Sequence, residues 1–197
     1  MASGKLAITG PLANKKESFP GNLLGKFDVQ LKDLILTSNT SAPIELSHLT
    51  VKGDFNDGLL NHNIQGNFLG SNFDIKGKLK LNQTDPDIDS QINWKKLDIT
   101  KLPLPRTKGW KPTEGILSGS LNLVGPFASE NLPGALKGTL QFVAKNLKLQ
   151  SEDSTPLFLS EFGGTGTFKN HQLNYEIKGN TFNGTVKSGG NIILSAS

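Results

Sequence analysis

Three histidines, His48, His62 and His171, are the first residues to consider for catalytic or metal-binding chemistry. A zinc site or an acid–base pair needs further ligands or partners at a regular spacing around a histidine. The chain contains two related halves, and in their alignment His48 is matched by Glu161 and His62 by Tyr175. Since no ligand set recurs, the sequence predicts exposed strand or turn histidines and no metal site.

Three aspartates are spaced like the first, third and fifth ligands of a calcium-binding loop. They are Asp85, Asp87 and Asp89. An EF-hand loop also needs glycine at its sixth position and glutamate at its twelfth. Ser90 and Lys96 stand at those positions, so we interpret the segment as the polar edge of a strand.

Motifs of nucleotide-binding and hydrolytic enzymes are absent from the sequence. The glycine-rich run 163–166 lacks the Gly-Lys-Ser/Thr that a phosphate-binding loop requires. There is no Gly-x-Ser-x-Gly nucleophile motif, and the lack of cysteine excludes disulfides and thiolate ligands. We therefore predict that the chain is not an enzyme and has no cofactor.

The charge pattern argues against a nucleic-acid partner. The 197 residues carry a net charge of +4, but the lysines are scattered and Arg106 is the single arginine. Nucleic-acid binders usually concentrate Lys and Arg in a stripe. No run approaches the roughly 18 apolar residues of a membrane span. The opening Met1–Lys5 leads straight into a strand-like segment instead of a signal peptide, so we expect a piece of a longer protein.

One repeated stretch organises the chain. Pro20–Leu36 and Pro133–Leu149 lie 113 residues apart, and seven of their seventeen positions are identical. Each copy alternates apolar and polar residues, which predicts a strand with one apolar face. Each copy also slips by one residue before its final Leu-x-Leu, which predicts a β-bulge or a sharp bend.

The same register extends along most of the chain. It pairs Phe55 with Phe168 and Leu60 with Leu173, and upstream the offset grows by two residues. We therefore predict one continuous β-groove over 1–197, with a first repeat at 4–81, a connector at 82–114 and a second repeat at 115–194. Glycine inside almost every strand indicates curvature or bulges.

The fold class predicted is all-β, a curved antiparallel sheet built from two tandem repeats. Such a sheet can close as a sandwich or barrel with a dry apolar face, or curl into an open apolar groove. The low apolar content, the lack of helical periodicity and the repeated glycines favour the open groove. We expect these side chains to line it: Phe27, Val29, Leu31, Leu34, Leu36, Phe73, Ile75, Leu79, Leu81, Leu140, Phe142, Leu147, Leu149, Ile177, Ile192 and Leu194.

Four sequence patterns carry a family resemblance. They are Gly-Ser-Leu-Asn-Leu-Val-Gly at 119–125, Gly-Thr-Leu-Gln-Phe-x-Ala-x-Asn-Leu-Lys-Leu at 138–149, Leu-Thr-Val-Lys-Gly-Asp-Phe-Asn-Asp-Gly-Leu at 49–59, and Gly-Asn-Phe-Leu-Gly-Ser-x-Phe-x-Ile-Lys-Gly-x-Leu-x-Leu at 66–81. These patterns resemble the AsmA/TamB group of Gram-negative envelope proteins. Residues 92–102, Ile-Asn-Trp-x-x-Leu-Asp-Ile-Thr-x-Leu, resemble the family's connector.

The resemblance implies a curved sheet called a β-taco, or repeating β-groove, with an apolar interior. It also implies a periplasmic location, as part of an inner-membrane-anchored protein that conducts phospholipids toward the outer membrane. The partners implied are phospholipid acyl chains and envelope membrane proteins. The family has no catalytic residues to transfer to this chain, and its N-terminal membrane helix is absent from this sequence.

Two other functions remain open at this stage. The chain is also consistent with a structural β-solenoid or adhesin stalk, which would have a dry core and act through its loops. A scaffold for outer-membrane protein assembly would instead bind unfolded strands at an open sheet edge.

Overall fold

A computed structural model of the chain describes residues 2–9, 24–36, 44–81, 86–102, 109–126, 135–151, 154–181 and 184–193. Over these residues the protein is all-β, as the sequence predicts, with one short 3-10 helix, η1 (Ile99–Lys101). None of the helical structure in these ranges has the length and apolar content of a membrane span. The eleven strands are β1 (Ala2–Thr9), β2 (Leu24–Leu36), β3 (Ile44–Asn56), β4 (Leu59–Phe68), β5 (Ser71–Lys80), β6 (Asp87–Asp98), β7 (Lys111–Pro126), β8 (Lys137–Gln150), β9 (Leu157–Lys169), β10 (Gln172–Thr181) and β11 (Gly184–Ile193).

The strands form one open sheet in which chain order equals spatial order. Every neighbouring pair is antiparallel, so each strand is hydrogen-bonded to the strands before and after it in sequence. β1 and β11 are the two edges of this sheet. The described residues contain no second sheet or helical layer packed on either face.

Tight two-residue turns join several strands. Asp57 and Gly58 have φ values of 49° and 70°, and this pair of left-handed residues is typical of a type I′ hairpin. The Asp-Gly sequence predicts this turn. Asn170 and His171, at φ 53° and 62°, make the equivalent turn between β9 and β10.

Three strands bend at single left-handed residues that are not glycine. These are Asp33 in β2, Lys96 in β6 and Asn146 in β8, with φ values of 53°, 59° and 53°. Asp33 and Asn146 lie at the slips of the repeated stretch. Asparagine and aspartate tolerate this backbone region better than most residues, because their short polar side chains bond locally.

Several strand-interior glycines do not mark β-bulges. Gly53, Gly66, Gly77 and Gly138 have no left-handed φ value, and the cross-strand register runs through them without a break. The register shifts instead near the bends, between Leu46 and His48 and between Trp94 and Leu97, among others.

The buried core is small and lies at the bends. Its apolar members are Leu97, Ala144, Leu147 and Leu159, each less than a tenth exposed. η1 packs on β7 at this point, and a Cβ placed on Gly115 would lie 3.0 Å from Ile99 and 3.2 Å from Leu147. Burial therefore concentrates where bent strands and η1 meet, and not over the whole apolar face.

The region predicted as a connector, 82–114, contains regular sheet structure. Residues 87–98 within it form the complete strand β6, paired with β5 on one side and β7 on the other. β7 begins at Lys111, before the predicted start of the second repeat at 115. The short helix η1 follows β6 directly, and its N-cap is Asp98, whose side chain accepts a hydrogen bond from the Thr100 N–H.

Candidate apolar face

The pleat of the sheet sorts its side chains onto two chemically different faces. Residues directly opposite each other on paired strands share a face, and successive residues alternate between faces. Following the registers across seven strands gives one unbroken aliphatic row: Val29, Val51, Ile64, Ile75, Ile92, Leu121 and Leu140. At about 4.8 Å per strand this row is about 29 Å wide. We call the side that carries it the apolar face.

Aromatic rings on the apolar face lie over glycines of the neighbouring strand. Phe73 is opposite Gly66, and a Cβ on that glycine would lie 2.8 Å from the ring. Phe142 covers Gly164 in the same way at 2.9 Å. The same relation holds between Phe27 and Gly53, Trp94 and Gly119, and Phe168 and Gly138. Glycine therefore lets the rings lie flat, which keeps the apolar face smooth.

The opposite side, called here the polar face, carries the ionic and amide contacts. Lys52 Nζ lies 3.0 Å from Asp28 Oδ2 across β2 and β3. Asn61 donates to Asp54 at 2.8 Å, and Asn93 donates to Asp74 at 3.1 Å. These ionic and amide contacts therefore lie on the side of the sheet opposite the aliphatic row.

One polar pair interrupts the apolar face. Ser90 Oγ and His62 Nε2 are 3.0 Å apart. Gly77 on β5 lies between them, because it pairs with His62 on one side and with Ser90 on the other. Ser90 is 3 % exposed, and burial lowers the pKa of His62 below its ordinary value, partly offset by the Leu60 carbonyl. Gly53, the neighbour of His62 on β3, brings no charge to the pair. The pair is a hydrogen bond between two polar side chains within the apolar face.

Most of the predicted groove residues share the apolar face. The registers place ten of them there: Phe27, Val29, Leu31, Phe73, Ile75, Leu79, Leu140, Phe142, Ile177 and Ile192. Two more, Leu147 and Leu149, follow the bend at Asn146, where the strict alternation ends; Leu147 is buried and Leu149 is half-buried. By contrast Lys26, Asp28 and Gln30, which alternate with the β2 members, lie on the polar face.

The other four predicted residues have less defined positions. The backbone of Leu34 pairs with Leu46, and that of Leu36 pairs with Ile44 at the end of β2. Leu81 follows β5, and its N–H donates to the Gly58 carbonyl at 2.7 Å. Leu194 lies outside the described residues.

Sequence reasoning missed part of this face. Trp94, Leu121, Phe168 and Ile64 belong to it but are absent from the predicted lining. The alternation of β6 and β7 carries the signal for Trp94 and Leu121, but β6 had been assigned to a connector. Their place in the face follows only when the strand order is known.

Three depressions of the surface each include one predicted groove residue, Phe27, Phe142 or Phe73, but are lined mostly by other residues. One of about 510 Å³ is lined mainly by polar-face residues such as Lys5, Asp28 and Asn61. A second, of about 800 Å³, spans β6 to β10 and includes Gln141 and Glu176. A third, of about 430 Å³, is lined by His48, Asn67 and other polar-face residues. The candidate site is therefore an uncovered face and not an enclosed cavity.

The described residues hold no cluster of three or more histidine or acidic side chains suited to a metal ion. Asp87 and Asp89 belong to the segment whose aspartate spacing resembles a calcium loop. They lie opposite Lys80 and Lys78 on the neighbouring strand. The described geometry is a broad apolar surface on one side of the sheet. No protein-family model, no curated protein and no solved structure matches the chain.

Proposed function

We propose that the chain is a lipid-binding groove segment of an AsmA/TamB-like protein that conducts phospholipids between the inner and outer membranes across the periplasm. The observation that carries the proposal is the continuous apolar face, which no other layer of the described residues covers. A wide apolar surface on a soluble chain marks a binding site, since it is otherwise an aggregation liability. The proposed ligands are phospholipid acyl chains.

The proposal includes two tandem repeats and a sheet that curls around the ligand. The pairing registers support the repeats. Leu31 pairs with Leu49 in the first half, and the residues 113 positions later, Ala144 and Phe162, pair with each other. Adding 113 to both partners also converts the β3–β4 register into the β9–β10 register. It converts the β4–β5 register into the β10–β11 register in the same way. The bends at Asp33, Lys96 and Asn146 supply curvature.

The energetics suit conduction better than storage. Each buried CH₂ contributes about 0.8 kcal/mol, so a chain of about sixteen carbons gains on the order of 10 kcal/mol. Association costs roughly 4–15 kcal/mol, which leaves modest net binding. Headgroups would remain near solvent beside scattered lysines, so we expect weak headgroup selectivity.

The test places one charge on the apolar face and the same charge on the polar face. Phe142→Asp interrupts the face, whereas Gln141→Asp is its neighbour on the polar side and serves as the matched control. A photoreactive phospholipid in vesicles reports binding, and circular dichroism reports folding. We expect Phe142→Asp to lose cross-linking while Gln141→Asp retains it.

Two outcomes would contradict the proposal. Wild-type protein that gives no lipid adduct above that of a non-binding control protein excludes a lipid-conducting face. Equal cross-linking of the two variants, both folded, places the lipid elsewhere.

A second candidate function is favoured by the open edges of the sheet. β1 and β11 each pair with one strand among the described residues, so each can accept an added strand. A scaffold for outer-membrane protein assembly would use these edges. Cross-linking of unfolded outer-membrane protein strands to an edge, with no lipid adduct on the face, would favour it over lipid conduction.

A further inference from the structure

Three neighbouring strands extend beyond the rest of the described sheet at one end. β6 pairs with β7 no further than Ile116, and β10 pairs with β9 no further than Glu161. Beyond these points β7, β8 and β9 pair with one another as far as Lys111 and Leu157. The projecting residues are 111–114, 147–150 and 157–159, and we call them the tongue. At about 3.4 Å per residue the tongue is about 10 Å long, and η1 packs at its base near Gly115.

The end of the tongue exposes aromatic side chains. Trp110, which directly precedes β7, is 46 % exposed, and Phe158 in β9 is 44 % exposed. Among the described residues these are the two aromatic members of the exposed large apolar side chains. Leu157, next to Phe158 in β9, is also exposed. Apolar side chains grouped in this way at a strand end mark an interaction surface.

Lysine side chains accompany the rings. Lys148 Nζ lies 5.2 Å from the centre of the Phe158 ring and 3.1 Å from Glu114 Oε1. Lys111 is exposed at the start of β7. The two lysines and the glutamate are the charged residues of the tongue, and they give it one net positive charge. The two neighbouring connections, which lie outside the described residues, contribute two basic and two acidic residues, and these cancel.

We propose that the tongue is a docking site for a bilayer surface that contains anionic phospholipids. Tryptophan, phenylalanine and leucine side chains enter the boundary between headgroups and acyl chains, and lysines beside them bind anionic headgroups. The tongue presents both kinds of side chain at the end of three strands, where they reach a surface before the rest of the sheet does. The inference concerns the strand ends and does not depend on lipid conduction along the apolar face.

The first half of the chain provides a natural comparison. The residues 113 positions before Lys148 and Phe158 are Ile35 and Glu45, which pair with each other across β2 and β3 in the same way. The first half therefore has a glutamate where the tongue has its exposed ring. We expect membrane contact at the tongue and not at the equivalent end of the first half.

Vesicle binding by the variant Phe158→Glu tests the proposal, because it gives the tongue the residue of the first half. Thr167→Glu is the matched control, since it adds the same charge at an exposed position of the same strand, about 30 Å away. Sedimentation with vesicles of phosphatidylcholine and phosphatidylglycerol measures binding. We expect Phe158→Glu to weaken binding at least roughly tenfold, because it replaces an interfacial ring by a repelled charge. Thr167→Glu should bind like the wild type, and phosphatidylcholine alone should bind the wild type more weakly.

Tryptophan fluorescence identifies the part of the protein that meets the vesicle, because the chain has two tryptophans. Trp94→Phe leaves Trp110 as the reporter of the tongue, and Trp110→Phe leaves Trp94 as the reporter of the apolar face. We expect vesicles to shift the emission of Trp110 to shorter wavelength. A shift confined to Trp94 would place the vesicle on the apolar face and overturn the proposal.

Circular dichroism must show that Phe158→Glu folds. If it does not, Lys111→Glu at the exposed start of β7 tests the same surface, and we expect it to weaken binding at least roughly fivefold, the factor for one lysine at an anionic surface. Equal binding of Phe158→Glu and Thr167→Glu, or a wild type that binds no vesicles, would overturn the proposal. Photo-cross-linking of lipid to the apolar face is measured separately, so failure of tongue docking is distinguishable from failure of lipid conduction.

Discussion

Asp33 and Asn146 lie 113 residues apart and adopt the same left-handed backbone, each with φ 53°. They also hold the same place in the pairing pattern. Asp33 lies between Lys32, which pairs with His48, and Leu34, which pairs with Leu46. Asn146 lies between Lys145 and Leu147, which pair with Glu161 and Leu159. The bend is thus set in both halves by one short polar residue.

We predict that Asn146→Gly is neutral or stabilising and that Asn146→Ala is destabilising. Alanine in a left-handed conformation costs roughly 1–2 kcal/mol, whereas glycine adopts it freely. Chemical denaturation of the two variants measures the difference. Gln141→Ala is the control, because Gln141 lies in the same strand without a left-handed backbone. Alanine at this position therefore carries no penalty for a left-handed conformation. Equal stability of Asn146→Ala and Asn146→Gly would show that the bend does not depend on backbone strain.

Much of the architecture can be predicted from alternation, because a period of two fixes both strand type and face. The Asp57–Gly58 turn is predictable from its two residues, and the slip marks the bends. The position of β6 could not be predicted in the same way, since prolines after it resemble a linker. The sequence also does not reveal that Gly66 makes room for an aromatic ring. Only the strand order shows that Phe73 lies over it, so the sequence alone favoured a bulge.

We predict that Gly66→Ala destabilises the fold, because its Cβ would lie 2.8 Å from both the Phe73 ring and the His48 carbonyl. Overpacking of this kind typically costs about 1–3 kcal/mol. Gly184→Ala is the control, since a Cβ there would meet nothing within 4 Å. Urea denaturation of both variants measures the effect. A Gly66→Ala protein as stable as Gly184→Ala would mean that Phe73 moves off the backbone freely.

We predict that His62 makes the fold less stable in mild acid. Burial lowers its pKa in the folded protein, so between that value and the unfolded value of about 6.5 the unfolded chain binds more protons. The free energy of unfolding therefore falls as pH decreases from about 6.5 and levels off below the folded pKa. Denaturation at a series of pH values measures this contribution.

The variant His62→Tyr tests whether His62 causes this pH dependence. Tyrosine is chosen because Tyr175 has the equivalent position in the second half, opposite Gly190 of β11, as His62 is opposite Gly77. We expect this variant to lose the change in stability between pH 5 and 7. His48→Gln is the control, since His48 is exposed and bonds to Thr50. An unchanged pH dependence in His62→Tyr would assign the effect to other groups.

The last prediction compares two leucines of β8 that differ in what covers them. Leu147 is 4 % exposed at the bend, where Ile99 and Leu159 lie close to it. Leu140 is only partly buried, because it lies on the uncovered part of the apolar face. Leu→Ala at a fully buried site costs about 2–5 kcal/mol, because it removes apolar contact and leaves a cavity. We expect Leu147→Ala to show this cost and Leu140→Ala a smaller one.

Adding a phospholipid dispersion should separate the two sites further. Lipid that covers the apolar face contacts Leu140 and stabilises the folded state by mass action. Leu140→Ala should then gain less stability from lipid than the wild type gains, whereas Leu147→Ala should gain as much, because its site is already filled by protein. Thermal melts with and without lipid measure both gains. If Leu140→Ala costs as much as Leu147→Ala and lipid changes neither melt, the face is covered by protein in solution and is not a lipid surface.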